Sequence, residues 1–477
     1  MKRNYIAIWV LMAVSLNLGA CKKQLDVYPT TTEVDGNIIS DTKSATTALN
    51  GVYYQLAAGG PDQKNVLSSL WYNVNELIPS QLSGMFTYVF GGGGLNVHKY
   101  NAESTGIDAV WNNAYAIVNT ANGFLKNIAP ANAQKIGGKQ QMIAEARFLR
   151  AFGNSQLLLY YGQYDDTTSA NGIILKNAPV EPANLYLPRV SVAIAYDSIL
   201  SDLDHAIPDL PGTNSGGIWY ANIWAAKLLK ARVLINRRGP ADWAQVISLT
   251  NDIITNSPFS LEANIQDLFW TKGLTSNEVI LGIAPYPNQN INWTNYISND
   301  LYAPSKFAKQ LFNGDPRNSW CIQTIDATYG HMAALTKYYP GSITNIAPVP
   351  ITENNYVFRL TEAYLLEAEA LLGSGGSLND AGALLKTVMG HAGITDFSAV
   401  DAAVTGNSAG DLQLLVIEEE MKNFVGEAGQ DWFAVRRLPF ATLQSLLPSV
   451  TVRTLLVLPI PQAEMLANSM IKQNPGY

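Results

Sequence analysis

Hydrophobic positions in this chain recur at helical spacing far more often than they alternate. From Gln140 to Tyr161, Met142, Ile143, Ala146, Phe148, Leu149, Ala151 and Phe152 lead into an unbroken apolar run from Leu157 to Tyr161. Apolar side chains would then project on nearly every side, which predicts a helix sandwiched between others and ending at Gly162. Trp219 to Arg238 predicts another long helix, striped by Ile223, Ala226, Leu229 and Val233, with Gly239-Pro240 as the stop signal. Asp242-Trp243 opens a partner helix running to about Thr255, which makes a helical hairpin with a very short turn. Val357, Leu360, Tyr364, Ala368 and Leu371 repeat the pattern with Arg359, Glu362 and Glu369 off the stripe. Gly373 to Gly376 close that element, and Asn379 to Met389 start its neighbour. A further stripe, Leu414, Ile417, Met421 and Phe424, carries Glu418 to Glu420. Helix pairs of this kind, without a strong internal repeat, predict a mostly α fold, a degenerate tetratricopeptide-like array in which each pair buries its face on the next. The helical-pair scaffold is expected over residues 40–60, 105–260 and 355–430, with irregular stretches at 71–100 and 280–350.

Those irregular stretches hold an excess of large rings. Trp71, Tyr72, Phe86, Tyr88 and Phe90 precede the glycine run Gly91 to Gly94, while Tyr286, Trp293, Tyr296, Tyr302 and Trp320 sit among many Asn and Gly. A sugar ring offers an apolar C–H face that stacks on an aromatic and a rim of hydroxyls that bonds to amides, so this composition suits a carbohydrate site. A buried ring serves equally to anchor a long loop on the body.

Charge and composition narrow the partners. Charged residues make up only 14% of the chain and aromatic residues 10%, a balance that favours neutral, stackable ligands. The formal charge is -7, no Lys/Arg cluster follows Lys22-Lys23, and nucleic acid is therefore not expected as a partner. At the N-terminus, Lys2 and Arg3 precede a short apolar core from Tyr5 to Leu18, well under the ~20 residues that cross a bilayer, and Leu18-Gly19-Ala20 then leads into Cys21. This is the pattern of a bacterial lipoprotein signal: residues 1–20 are expected to be removed and Cys21 to carry the acyl chains. Cys321 then stands alone, so no internal disulfide is expected.

Catalytic patterns are weak. His98, His205, His331 and His391 are scattered without metal-ligand spacing, so no metal site or cofactor is assigned. Gly91 to Gly94 and Gly137-Gly138-Lys139 lack the remainder of a phosphate loop. Asp165-Asp166 is a carboxylate pair, but adjacent residues on a loop diverge. Cys321 reads as a small buried residue.

Several separated segments, in order, resemble the SusD/RagB family of outer-membrane nutrient-binding lipoproteins. They are Cys21-Lys22-Lys23-Gln24-Leu25-Asp26 with Pro29; Ala144-Glu145-Ala146-Arg147-Phe148-Leu149-Arg150-Ala151 running on to Tyr160-Tyr161-Gly162; Ala195-Tyr196-Asp197 with Leu210-Pro211; Ala225-Ala226-Lys227 through Ala231-Arg232-Val233; Asp315-Pro316-Arg317; and Arg359 to Leu365 with Ala368-Glu369-Ala370. The ending, Leu458-Pro459-Ile460-Pro461 and Gln473-Asn474-Pro475-Gly476-Tyr477, is similar almost letter for letter. One segment departs: Asp431 stands where the family usually has Arg, and Ala434 where it usually has Asp, which alters a structural ion pair.

The resemblance implies residues 21–477 as one SusD-like domain, lipid-anchored at the outer membrane and exposed on the cell surface. It implies capture of a nutrient, usually an oligosaccharide or polysaccharide, and delivery to a TonB-dependent transporter of the SusC type, without catalysis. The tetratricopeptide-like pairs would meet that transporter. The family supplies no binding motif to transfer residue by residue, so Trp71, Tyr88, Tyr286, Trp293, Tyr296 and Trp320 are chosen as ligand-binding candidates from local composition. An oligopeptide ligand of the RagB type, a scaffold without a small ligand and a secreted hydrolase are the alternative readings.

Overall fold

Side-chain caps start many of the helices, and they fix where the periodic stretches begin. In the computed structural model, which describes residues 38–58, 71–90, 94–130, 135–285, 302–327 and 330–477, Ser191 accepts from the Ile194 backbone N–H, Asn222 from Ala225 and Ser377 from Asp380. A capping side chain satisfies a backbone donor that the first turn leaves open. The principal helices are α1 (Thr42–Ala58), α2 (Ile107–Ile128), α3 (Lys139–Tyr161), α4 (Val192–Ala206), α5 (Ile223–Arg237), α6 (Asp242–Asn256), α7 (Leu360–Gly373), α8 (Leu378–His391), α9 (Ser398–Thr405), α10 (Ala409–Phe424) and α11 (Gln430–Val435).

Neighbours in sequence pack as neighbours in space, and the fold is mostly helical as the spacing predicts. α1, α2, α3 and α4 follow one another side by side, α5 packs on α6, α6 on α7, and α7 on both α8 and α10. α3 is enclosed as expected: Leu157, Leu158, Leu159, Tyr160 and Tyr161 are all buried. Gly153 brings α3 close to α2, because a Cβ there would lie 2.9 Å from Val118 and 3.0 Å from the Ala114 carbonyl oxygen. The main core runs through nearly the whole described chain, with a smaller cluster around Leu365, Leu385, Val400 and Val416 between α7, α8, α9 and α10.

α5 starts later than the sequence pattern indicates. Asn222 takes the cap, so Trp219 and Tyr220 fall outside the helix, in the loop before it. The off-stripe positions of α7 also differ from a solvated helix edge, since Arg359, Glu362 and Glu369 are all buried. Arg232 pairs with Glu362 at 2.7 Å, Arg359 with Glu278 and Glu427 at 2.5 Å each, and Arg437 with Glu369 at 2.8 Å and Glu420 at 2.7 Å. Lys337 completes one of these groups by pairing with Glu427 at 2.7 Å.

Strands are few and short among the described residues. β1 (Phe86–Tyr88), β2 (Val279–Ile283), β3 (Tyr302–Pro304), β4 (Ile322–Ala327), β5 (Gly330–Leu335) and β6 (Asn355–Arg359) pair antiparallel as β1 with β3, β2 with β6 and β4 with β5. The two terminal motifs meet each other at the end of α3. Gln473 donates to the Ile460 carbonyl and accepts from its N–H, while Asn474 donates to the carbonyls of Tyr161 and Leu458 at 2.8 Å. The chain end thereby closes over the Tyr160-Tyr161-Gly162 terminus of α3. No helix among the described residues is long and apolar enough to cross a membrane.

Candidate functional site

The chain enters the irregular region at Trp71, whose role is structural. The residue is fully buried, its ring stacks on Phe152 of α3 at 6.2 Å, and its Nε1–H donates to Glu76 Oε1 at 3.0 Å. Asn355 donates to the same oxygen at 3.0 Å. Trp71 therefore braces a π-helical turn, Asn73–Leu77, and cannot offer a face to a ligand in this arrangement, contrary to the expectation from composition. π turns place an extra residue in the helical ladder and recur at binding sites. Here the turn runs into a short helix, Ile78–Leu82, and the two together present Asn73, Ile78 and Gln81 to one cleft. The opposite side is tied down: Ser80 and Ser83 donate to Asp431 Oδ2 at 2.5 and 2.9 Å.

Beyond Gly84, β1 pairs with β3 across more than two hundred residues of sequence, and the register sets Tyr88 opposite Tyr302. Their rings lie 5.5 Å apart, and Phe90, 59% exposed, meets Tyr88 at 5.7 Å. Cross-strand aromatic pairs of this kind hold each other in place. Together with Asn73, Gln81, Ser104 and Thr105, the two tyrosines line a cleft of ≈ 660 Å³ whose charged side chains, Lys99 and Asp108, are of opposite sign. Burial raises the Tyr302 hydroxyl above its ordinary pKa, with Tyr88 adding to the shift and a hydrogen bond with Gln81 opposing it. The group stays an O–H that can both donate and accept. Burial pushes His98, next in sequence to Lys99, down to about 4, so that ring is neutral near pH 7, and its Nδ1 lies 2.9 Å from Ser449 Oγ. The arrangement offers ring faces, amides and hydroxyls to a neutral ligand.

The remaining sequence candidates separate clearly. Tyr88 is in the cleft. Trp320, 8% exposed on the short helix Asn318–Cys321, packs against Phe269 at 6.3 Å and Trp270 at 5.9 Å, so it belongs to the core and not to a binding face. Tyr286, Trp293 and Tyr296 lie outside the described residues, as does Cys21. Tyr302, Asn73 and Gln81 were not singled out from the sequence. A signal existed for Tyr302, which sits in the aromatic-rich segment, but only the β1–β3 pairing brings it to Tyr88.

The residues weighed for chemistry find structural partners. Asp165 pairs with Arg453 at 2.5 Å, and Asp166 accepts from the Thr168 N–H and hydroxyl, so the two carboxylates do not converge. Burial pushes the Cys321 thiol up to about 12. His205 Nδ1 contacts the Ser201 carbonyl, His391 Nδ1 that of Glu262, and His331 pairs with Asp326 at 2.5 Å. No three His, Cys, Asp or Glu side chains converge into a metal-binding group among the described residues.

Comparison with known proteins places this architecture. Residues 93–235 match the family described as "Starch-binding associating with outer membrane", and residues 311–446 match the SusD family, more than half of the chain between them. A SusD-like protein of Bacteroides ovatus is 24% identical over 319 residues, 57% of this chain and 57% of that protein, so the chain spans a little over half of that relative's length. A SusD superfamily protein from Bacteroides thetaiotaomicron shares the fold with a TM-score of 0.73 at 22% identity, covering 91% of this chain and 100% of that one. A laminarin binding SusD-like protein does so with a TM-score of 0.68 at 19% identity, covering 92% and 100%. Sequence matches in both halves of the chain and a shared helical body lead to one conclusion: this chain belongs to the SusD/RagB family.

Proposed function

We propose that this protein captures an oligosaccharide in the Tyr88–Tyr302 cleft and hands it to a SusC-like, TonB-dependent transporter, held at the cell surface by acyl chains on Cys21. The observation that carries the reading is the tyrosine pair set across β1 and β3 beside Asn73 and Gln81, because it combines stacking faces with amide partners in one groove. The opposite charges of Lys99 and Asp108 favour an uncharged chain over an acidic or basic one. A structural neighbour named as laminarin binding is in keeping with a glucan, and the match to a family described as starch-binding points to the same class. Binding would need no covalent step, and rings, amides and hydroxyls make up much of the cleft's polar lining beside Lys99 and Asp108.

The test is calorimetry of the mature protein against laminarin, soluble starch, xylan and mixed oligopeptides. Saturable binding of a polysaccharide that is lost in Tyr88→Ala supports the proposal. Binding of oligopeptides alone would replace it with the peptide reading. Transporter delivery is tested separately, by co-purification of the acylated protein with an outer-membrane barrel from its own cells, and a Cys21→Ala variant should leave the membrane fraction.

A further inference from the structure

A second cavity lies where the segment after α3 crosses α2, and it shares no lining residue with the cleft. Its walls include Trp111 and Tyr115 of α2, Ile174, Lys176 and Leu185 of the crossing segment, and Glu464 of the short helix Gln462–Ala467. Trp111 and Tyr115 stand four residues apart and so share one face of α2. Their rings are 4.8 Å apart, and Trp111 meets Tyr161 edge-on at 5.0 Å. The crossing segment is pinned to α2 at three points. The Tyr115 hydroxyl donates to the Ile174 carbonyl at 2.9 Å, Asn122 Nδ2 to the Lys176 carbonyl at 2.9 Å, and the Val180 N–H to Asn119 Oδ1 at 2.7 Å. The walls are therefore held by the protein's own bonds. Val180, which also lines the cavity, is 42% exposed and Leu185 43%, so the cavity opens to solvent on that side.

Two charges face this cavity without bonding to each other. Lys176 is only 7% exposed, and a buried ammonium is costly unless an opposite charge meets it. Its Nζ donates to the carbonyls of Asn184 and Leu185 at 2.6 and 2.7 Å, which occupies two of three donors and supplies no negative charge. Burial lowers the Lys176 pKa, and the charge of Glu464 opposes that shift. Among the described residues Glu464 forms no ion pair, and its Oε1 accepts from Asn468 Nδ2 at 3.2 Å, which leaves Oε2 uncommitted. A ligand carrying only a carboxylate would satisfy Lys176 and be repelled by Glu464, and one carrying only an amine would meet the reverse. A molecule with both groups on one carbon answers both. The cavity holds ≈ 210 Å³, somewhat more than the ~150 Å³ of an apolar cavity that takes benzene, so a branched aliphatic or a single ring fits beside Trp111 and Tyr115. We infer that this cavity binds a free α-amino acid with an apolar side chain, its carboxylate toward Lys176 and its ammonium toward Glu464. The inference is independent of the saccharide reading above.

The test is calorimetry of the mature protein with L-leucine, L-phenylalanine, leucinamide and N-acetyl-leucine, repeated on Glu464→Gln and Lys176→Met, with thermal unfolding of each variant. Leucine or phenylalanine should bind saturably, and leucinamide and N-acetyl-leucine, each lacking one charge, should bind about tenfold more weakly or worse. Glu464→Gln keeps an acceptor for Asn468, so its thermal midpoint should match wild type while its affinity for the amino acid falls about tenfold. Lys176→Met should lose binding as well, but it also frees two loop carbonyls, so Glu464→Gln decides the matter if that variant unfolds. N-acetyl-leucine binding as tightly as leucine overturns the zwitterion in favour of a plain carboxylate. Binding by Glu464→Gln equal to wild type overturns the assignment of Glu464 and with it the site. Absence of binding by every amino acid overturns the inference and leaves the saccharide reading standing.

Discussion

Single residues in this protein are assigned by what surrounds them and not by their type. Trp71 and Tyr88 come from the same aromatic segment, yet one braces a π turn in the core and the other lines the cleft. Trp71→Ala should therefore cost ~3–5 kcal/mol of stability by leaving a cavity against Phe152 and removing one of the donors to Glu76. Tyr88→Ala or Tyr302→Ala should instead cost ~1–3 kcal/mol of ligand affinity, read by calorimetry, with the thermal midpoint nearly unchanged. Asp431 gives a pH-dependent case. Burial pushes its carboxyl up to about 7, against hydrogen bonds from Ser80, Ser83 and the Trp432 N–H. An acid whose native pKa lies above its unfolded value binds its proton more tightly in the folded state. Its contribution is complete below the unfolded value of ~3.9 and is lost as pH rises through about 7. Asp431→Asn removes that loss, so the thermal midpoint of the variant relative to wild type should climb across this window and level off above it. A difference that stays constant with pH would show that Asp431 does not titrate there.

At the scale of elements, close approach and caps decide how the helices sit. Gly153→Ala should push α3 away from α2, costing ~1–3 kcal/mol in denaturant unfolding, because the added methyl meets Val118 and the Ala114 carbonyl. A cost near zero would mean that the two helices can slide apart. The hairpin of α5 and α6, the enclosure of α3 and the α7–α8 pair were all legible from apolar spacing, since a 3.6-residue period states directly which side of a helix is covered. The start of α5 was not. Trp219 and Tyr220 extend the apolar pattern backwards, but the Asn222 side chain takes the first open donor and the preceding residues leave the helix. Periodicity reports burial, whereas caps report where the backbone turns.

Across the whole molecule, buried ion pairs tie the helical pairs to one another. Arg359, at the junction of β6 and α7, holds Glu278 and Glu427, and Lys337 shares the latter. Arg359→Met would leave two carboxylates facing a single lysine in the core, a loss of ~3–5 kcal/mol measurable by urea unfolding. Stability equal to wild type would mean that water enters and solvates the group. From its sequence alone the chain fixed a mostly helical body, the pairing of consecutive helices and the family motifs, because those depend on local spacing and on residues close together in the chain. It also marked two aromatic segments as the place to look. Which rings face outward was decided only by the tertiary structure, through contacts between distant parts of the chain. β3 meets β1 and pairs Tyr302 with Tyr88, Phe152 covers Trp71, and Phe269 with Trp270 covers Trp320. A ring's composition and neighbours in sequence are the same on either side of a loop, and only packing from elsewhere determines whether solvent reaches it.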